Sequence, residues 1–549
     1  MGREFLGNIK GSKGDKGEKG KDSSTLITNF RDLVENDDWS NALNEALKSH
    51  NHIVFPEGSF NLDSINLPSD TTISGLGTQT VINVDSSQDL FTVKGEYGDE
   101  KIVTTDIEMF SNEVILNDVT GLNIGDDILI KSCVNSFNNN LGDEWLLGDG
   151  GSVVPYGEYG VIKNIEGNTI TLMNDLLYPY YPETTDSENK AKDNTTITKV
   201  NFKENVTIEN MLINKNKNGS VLRFNVAKNC KMNNVICVND GYTSGYTSLA
   251  IIQESLNCSV ENSMYKIKQN ENISSNLDHR NVFKIISSSF SGFKNCVSYN
   301  GTQSGDITFL NNCVPSTSCY FVDCKFFDSN NQAITTHQGN YMTKIIGNTV
   351  KGGKSGFSLR GKKNIVSNNT MIGDKKTGIN FLSFAIGLYT RSTGESIITN
   401  NNITNYNTGV AYVDDGVSRV RFLNTIISNN HISNTNKGVH IFRYSTGDVR
   451  TEFMAINIIN NIINIMNETQ LNFNTGVHLD KYTRGVKIKD NIIKGMNKMA
   501  TGVHIDHNSD EIIMTDNTMH TLNRNMFLST SATNTTIENN LVLNTNTIH

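Results

Sequence analysis

The chain lacks any stretch approaching 18 consecutive apolar residues, so no segment is expected to cross a bilayer as a helix. It lacks a long basic tract and carries a formal charge of -9, so nucleic-acid binding has no electrostatic footing. Its opening, MGREFLGNIKG, has no apolar core of secretory-signal length, and export by the usual route is not expected. Its eight cysteines (Cys133, Cys230, Cys237, Cys258, Cys296, Cys313, Cys319 and Cys324) form no CxxC pair and no repeated metal-type spacing. Reduced thiols packed as small apolar residues are therefore the expectation. A P-loop, a dinucleotide-binding fingerprint, GxSxG and HExxH are all absent.

Asparagine is what the chain has in excess: 78 of 549 residues, about 14%. Helix interiors disfavour Asn and tight turns favour it, which excludes a helical bundle. With 24 Phe and 17 Tyr, the chain is not generally disordered. The length exceeds one small domain and is ample for a large core.

Residues 11–22, GSKGDKGEKGKD, place Gly at 11, 14, 17 and 20, the period of a collagen triple helix. Four triplets without Pro form either a short trimeric neck or a flexible charged linker. Residues 1–25 are read as an attachment and connector segment. Residues 26–102 follow as a capping helix and first extended turns. Trp39, Ala42, Leu43, Ala46 and Leu47 fall at helical spacing, with Asp37 or Asp38 able to cap. Residues 103–200 break the rhythm and read as a small inserted β unit. It has a hairpin at Glu166-Gly167-Asn168 and a long polar loop from Asn135 to Tyr156.

From residue 201 to 549 the chain is a degenerate repeat with the kernel I-I-x-x-N-x-I, a turn, then G-V/I. Clear units begin at Ile345, Ile365, Ile397, Ile426, Ile458, Ile488 and Ile512. Period-2 alternation with an Asn turn in every unit predicts a coiled parallel β-stack. Neighbouring rungs bury each other's apolar side, and Asn can ladder between them.

The order of a capping helix, then IVFPEGSFNL…INLPSDTTISGLG, resembles the entry of pectin-lyase-like right-handed β-helices. It is most similar to the version found in bacteriophage tail spikes and tail appendages. GREFLGNIKG followed by collagen-like triplets resembles the attachment end of appendages in phages of Gram-positive cocci. The resemblance implies an all-β, right-handed parallel β-helix in a virion tail. It further implies a homotrimer joined through its N-terminus to other tail or baseplate proteins. Such a protein binds and degrades a host-surface glycopolymer. The resemblance to phages of cocci implies wall teichoic acid, cut by phosphodiester hydrolysis. Neither a nucleic-acid partner nor membrane insertion is expected. No separate C-terminal trimerisation domain is visible, which departs from many tail spikes. The alternatives are a non-catalytic receptor-binding appendage, an exopolysaccharide or capsule depolymerase, and a bacterial lyase or hydrolase.

Rungs can be aligned on a leading small residue: Ala333, Gly356, Gly387, Gly409, Gly438, Gly476 and Gly502. Residues one and three later then face the core, and residues two and four later face out. The outward column reads Thr335/His337, Ser358/Arg360, Tyr389/Arg391, Ala411/Val413, His440/Phe442, His478/Asp480 and His504/Asp506. Gly378 competes with Gly387 for its place. In the upper half Arg360 and Arg391 would hold a phosphodiester, with Tyr389 and Ser358 beside them. His337 or His279 would move the proton, and Asp278 or Asp306 would orient a histidine or hold a divalent metal ion. In the lower half Asp480 and Asp506, flanked by His478 and His504, have the one-rung separation that suits glycoside hydrolysis. The plain alternative is a stacked surface or interface ladder. No dense Asp cluster accompanies Arg360, so lyase chemistry ranks lower.

Overall fold

The computed structural model describes residues 24–132, 156–182, 195–215, 217–239, 247–267, 281–308, 314–374, 383–413, 424–442, 455–465, 474–495, 500–520, 524–529 and 531–543. Residues 1–23 of the collagen-like connector, the loop from 135 to 155, and the candidates Asp278 and His279 lie outside them, as do Cys133 and Cys313.

The kernel folds as one rung of a right-handed parallel β-helix. In one rung Ile426–Ser428 runs to a bend at Asn429, His431–Thr435 continues, and Lys437–Phe442 forms the third side. Asn429 makes the bend at φ 55°, a conformation Asn tolerates better than other side chains. The next rung lies in register, with Ile427 on Ile458, Ile432 on Ile463 and Val439 on Val477. The third sides make a continuous sheet of 14 parallel strands. Ile427, Ile432, Val439 and Ile441 of this rung are essentially buried. Each such side chain contributes ~1.5–3 kcal/mol before entropy is counted. The repeated glycine marks where two sides pack too closely for a side chain. A Cβ at Gly409, Gly438 or Gly476 would lie 2.5, 2.3 or 2.5 Å from Ile432, Ile463 or Ile493.

The second Asn of the kernel turns inward. Asn348, Asn369, Asn401, Asn430, Asn461, Asn491, Asn517 and Asn540 form one column through the rungs. Each of the first seven donates both its backbone N–H and its Nδ2 to the Oδ1 of the next. Nδ2 also bonds a carbonyl of the preceding rung, as Asn461 does to Ile427 at 2.9 Å. In the N-terminal half Cys324 and Cys296 hold this column, and Cys319 and Cys258 hold a second turn column. Their thiols meet carbonyls one rung back: Phe293, Val260, Ser288 and Ala227. The six described cysteines are free and buried. These four thus do more than fill apolar space; they stand in for the Ser and Asn of other rungs.

At the N-terminal end a 3-10 turn, Ile27–Leu33, precedes the helix Ser40–Ser49, which covers the stack with Ala42, Leu43, Ala46 and Leu47. Asp38 accepts the Ser40 N–H at 2.9 Å. A six-stranded antiparallel sheet, Glu96–Ile102 to Thr196–Asn201, leaves and rejoins the helix between two adjacent rungs, because Thr207–Lys215 pairs directly on Thr72–Val84. It has its own core, including Val114, Ile128, Ile130, Ile162 and Ile170. The sheet begins at Glu96, ahead of the 103 boundary read from sequence. Its first strand, EYGDEKI, is held by pairing with Thr196–Asn201 rather than by an alternating apolar pattern.

Candidate functional site

The 14-stranded sheet carries the column on its outer face. Register runs Lys284, Asp306, Thr335, Ser358, Gly387, Ala411, His440, His478, His504, Phe527. Alignment on the leading small residue fails at one rung. Ile386 pairs with Phe357 and Val410, so Ala385 leads and Gly387 registers with Ser358 and Ala411. Gly387 is there because the Phe384 ring occupies its side-chain space; an added Cβ would lie 2.2 Å from that ring. Tyr389 moves to the outer position beside Arg360. Arg391 falls in a register shift between Leu388 and Thr393 and leaves the column; its side chain is outside the described part.

The column is also less open than the alternation implies. Ser358 is 2% exposed, so it is not available to a polymer as expected; it lies in register between Thr335 and Gly387. Phe384, Ala411 and Val413 form a small apolar cluster with Tyr389 against them. Two polar clusters lie on either side of this apolar cover.

In the upper cluster Asp306, 3% exposed, takes the Nδ2 of Asn281 at 2.9 Å. His337 Nε2 stands 3.4 Å from its Oδ1, and Lys284 Nζ 3.7 Å from its Oδ2. The structure thus brings Asp306 and His337 together. Arg360 lies with its guanidinium carbon 4.1 Å from the centre of the Tyr389 ring, a cation–π contact facing the apolar cover.

The lower cluster is a ladder. The rings of His440, His478 and His504 stack at 4.7 and 4.6 Å, and Phe527 continues the stack at 4.5 Å. This is the rung spacing of ~4.8 Å. Carboxylates alternate between the rings. Asp480 Oδ1 is 3.0 Å from His440 Nε2 and 3.3 Å from His478 Nε2. Asp506 Oδ1 is 3.0 Å from His504 Nε2, and its Oδ2 is 3.7 Å from His478 Nε2. Lys437 Nζ closes the upper end, 3.2 Å from His440 Nε2. Sequence reasoning does not single out Lys437. Its signal is positional, since the registered places in flanking rungs are Thr408 and Thr475.

Burial pushes Lys437 down to about 8 and, despite Asp480 beside it, His440 down to about 4. Burial acts to raise Asp480, but the hydrogen bond from His440 and the neighbouring imidazoles and Lys437 ammonium hold it below the usual carboxyl range. Asp506 is held at about 2, first by His478, against burial, and then by His504. His504 is lowered by burial and by His478. Near neutral pH both carboxyls are anions. Neither is kept protonated as two-carboxyl glycoside hydrolysis requires of its acid. The set suits proton transfer through imidazole, anion contact through Lys437, or cation binding.

No family model and no curated protein matches the chain. Among solved structures it is similar to the tailspike of Pseudomonas phage phi297, with TM-score 0.53, 11% identity, and 90% of this chain covering 75% of that one. The tailspike of Pseudomonas phage LKA1 gives 0.46 at 13% identity, over 89% and 74% of the two chains. That of Acinetobacter baumannii phage AP22, solved with a capsular saccharide, gives 0.49 at 13%, over 92% and 78%. The chain has the right-handed parallel β-helix fold of the bacteriophage tailspikes.

Proposed function

We propose that this chain is a bacteriophage tail spike or appendage that binds a host-surface glycopolymer along its 14-stranded sheet and cleaves it. The carrying observation is the pair of histidine–carboxylate clusters on one continuous face. Asp306 lies five rungs, ~24 Å at the strand spacing, from the start of the His440–His504 ladder, and His337 four. That length spans several units of an extended polymer. His337, beside the Asp306 carboxylate, is the proton-transfer group, and Lys284, Arg360 and Lys437 are cations along the track. A cationic track favours an anionic polymer, and a poly(polyol phosphate) such as wall teichoic acid is the preferred substrate. The exposed Ile397 and Ile426, with Ile462 and Ile492 on the neighbouring side, support self-association into a homotrimer.

The test incubates the protein with Gram-positive host walls and with purified teichoic acid, and measures release of soluble phosphate-containing fragments. Release is expected from the native protein. His337→Ala and Asp306→Asn should lose it while melting as the native protein does. Adsorption to cells without any release would assign a receptor-binding appendage without catalysis.

A further inference from the structure

We propose that His478, His504 and Asp506 form a binding site for one divalent transition-metal ion of the zinc type. The three ligand atoms, two imidazole nitrogens and one carboxylate oxygen, all lie within 4.8 Å of one another. Asp506 is 3.0 Å from His504 Nε2 and 3.7 Å from His478 Nε2. Ligands of a tetrahedral zinc ion, at ~2.0–2.1 Å from the metal, stand about 3.3 Å apart.

A second observation points at a ligand. The His478 side chain is only 9% exposed, and neither of its ring nitrogens has a hydrogen-bond partner of good geometry. Buried polar atoms are normally satisfied, and an imidazole aimed between two carboxylates with both nitrogens unsatisfied is an exception. A cation between His478 Nε2 and Asp506 would satisfy the nitrogen that faces the carboxylates.

The ladder offers the same donor set twice, since His440, His478 and Asp480 also converge. At that end a cation is already built in: Lys437 Nζ sits 3.2 Å from His440 Nε2. An ammonium there repels a metal ion. At the other end His504 packs on the Phe527 ring. Asp506, with 28% of its side chain exposed, gives a path from solvent.

Two imidazoles and a carboxylate suit zinc and its imidazole-seeking neighbours, whereas calcium and magnesium seek oxygen. Three protein ligands leave a fourth position open, on the face along which the polymer is proposed to lie. The assignment does not depend on the polymer reading, because its test reads metal alone.

The experiment is calorimetric titration of the full chain, free of any histidine tag, with Zn²⁺. It is repeated with Co²⁺ to read the ligand-field spectrum and with Ca²⁺ as the oxygen-seeking control. One Zn²⁺ per chain, a tetrahedral Co²⁺ spectrum and no Ca²⁺ binding are expected. His504→Ala and Asp506→Asn should each weaken Zn²⁺ binding by about 100-fold or more, while His440→Ala leaves it unchanged. His504 and Asp506 are the chosen sites because His478 is too buried for its removal to separate binding from folding. Melting curves show that the variants fold. Three results would overturn the proposal: no saturable Zn²⁺ binding, binding indifferent to both His504→Ala and Asp506→Asn, or binding lost instead on His440→Ala. Equal affinity for Ca²⁺ would overturn the assigned metal class.

Discussion

Replacing Asn461 by Ala tests whether the internal asparagine column holds the rungs together. Asn461 Oδ1 accepts two bonds from Asn430, one from its N–H at 3.0 Å and one from its Nδ2 at 2.9 Å. Its own Nδ2 gives to the carbonyls of Ile427 and Ile459 and to Asn491 Oδ1, at 2.9, 3.1 and 3.0 Å. The residue is fully buried, so water does not replace what Ala removes. The Asn430 N–H loses its acceptor, and the Ile427 carbonyl loses its side-chain donor. At ~1–3 kcal/mol for each buried group left unpaired, the loss should be about 4 kcal/mol. Asn540→Ala, at the half-exposed last step of the column, should lose only about 1 kcal/mol, because water reaches the stranded donors. Guanidinium unfolding measures both variants, and amide exchange at Asn430 should speed up in Asn461→Ala. If Asn461→Ala loses less than about 1 kcal/mol, or no more than Asn540→Ala, the column is a consequence of the stack and not one of its supports.

Further predictions follow from the same geometry. Gly438→Ala puts a Cβ 2.3 Å from Ile463 and 2.5 Å from the Gly476 carbonyl, so it should destabilise by about 1–3 kcal/mol or more; an unchanged unfolding midpoint would refute the close approach. Burial pushes the Glu158 carboxyl of the inserted sheet up to about 7, against the hydrogen bonds from Leu177, Tyr178 and Tyr180. The native state therefore keeps a proton that the unfolded chain has already released. Stability of that sheet should fall as pH rises from about 4.5 through about 7, by roughly 3 kcal/mol. Amide exchange across the sheet reads this, and Glu158→Gln should flatten the profile. Burial raises the thiols of Cys237, Cys258, Cys319 and Cys324, so a thiol reagent near pH 8 should label none of the four until the protein unfolds. Mass-mapped labelling of any of them in the native state would contradict the packing.

The rungs were legible because two local signals coincide in each, alternating Ile and an Asn pair. The first Asn supplies a left-handed bend, as Asn429 does, and the second a buried amide, as Asn430 does. The register slip at Gly387 has the opposite character. A glycine there serves the ring of Phe384 rather than the corner, and one-dimensional alignment cannot tell the two uses apart. In the candidate site, the column of His478, Asp480, His504 and Asp506 follows from alternation alone. That Asp480 reaches back to His440 does not, because the two are 40 residues apart and meet only across a rung step. Lys437 is missed for the same reason: a lysine in a threonine position reads as a solvated side chain until its neighbours are in place. The cysteines read as apolar packing, but their role is set by which carbonyl faces each thiol, a property of the turn and not of composition.

The asparagine column runs one way. Every bond from one asparagine to another is given to the rung that comes later in the chain, from Asn348 to Asn369 and on to Asn517 and Asn540, while each Nδ2 also reaches back to a carbonyl one rung earlier. The two ends of the stack are therefore chemically different. Shortening the protein from its C-terminal side strands a backbone N–H and takes one acceptor from an amide NH₂; stopping after Gly495, for instance, takes Asn517 from Asn491, whose Nδ2 keeps the carbonyls of Ile458 and Lys489. Removing rungs from the other side takes both donors from an amide oxygen and one carbonyl from its Nδ2, as loss of the Ile427 and Asn430 rung would at Asn461. The C-terminal side of any rung thus presents a backbone N–H and an amide N–H together, and one Oδ1 of the following rung accepts both.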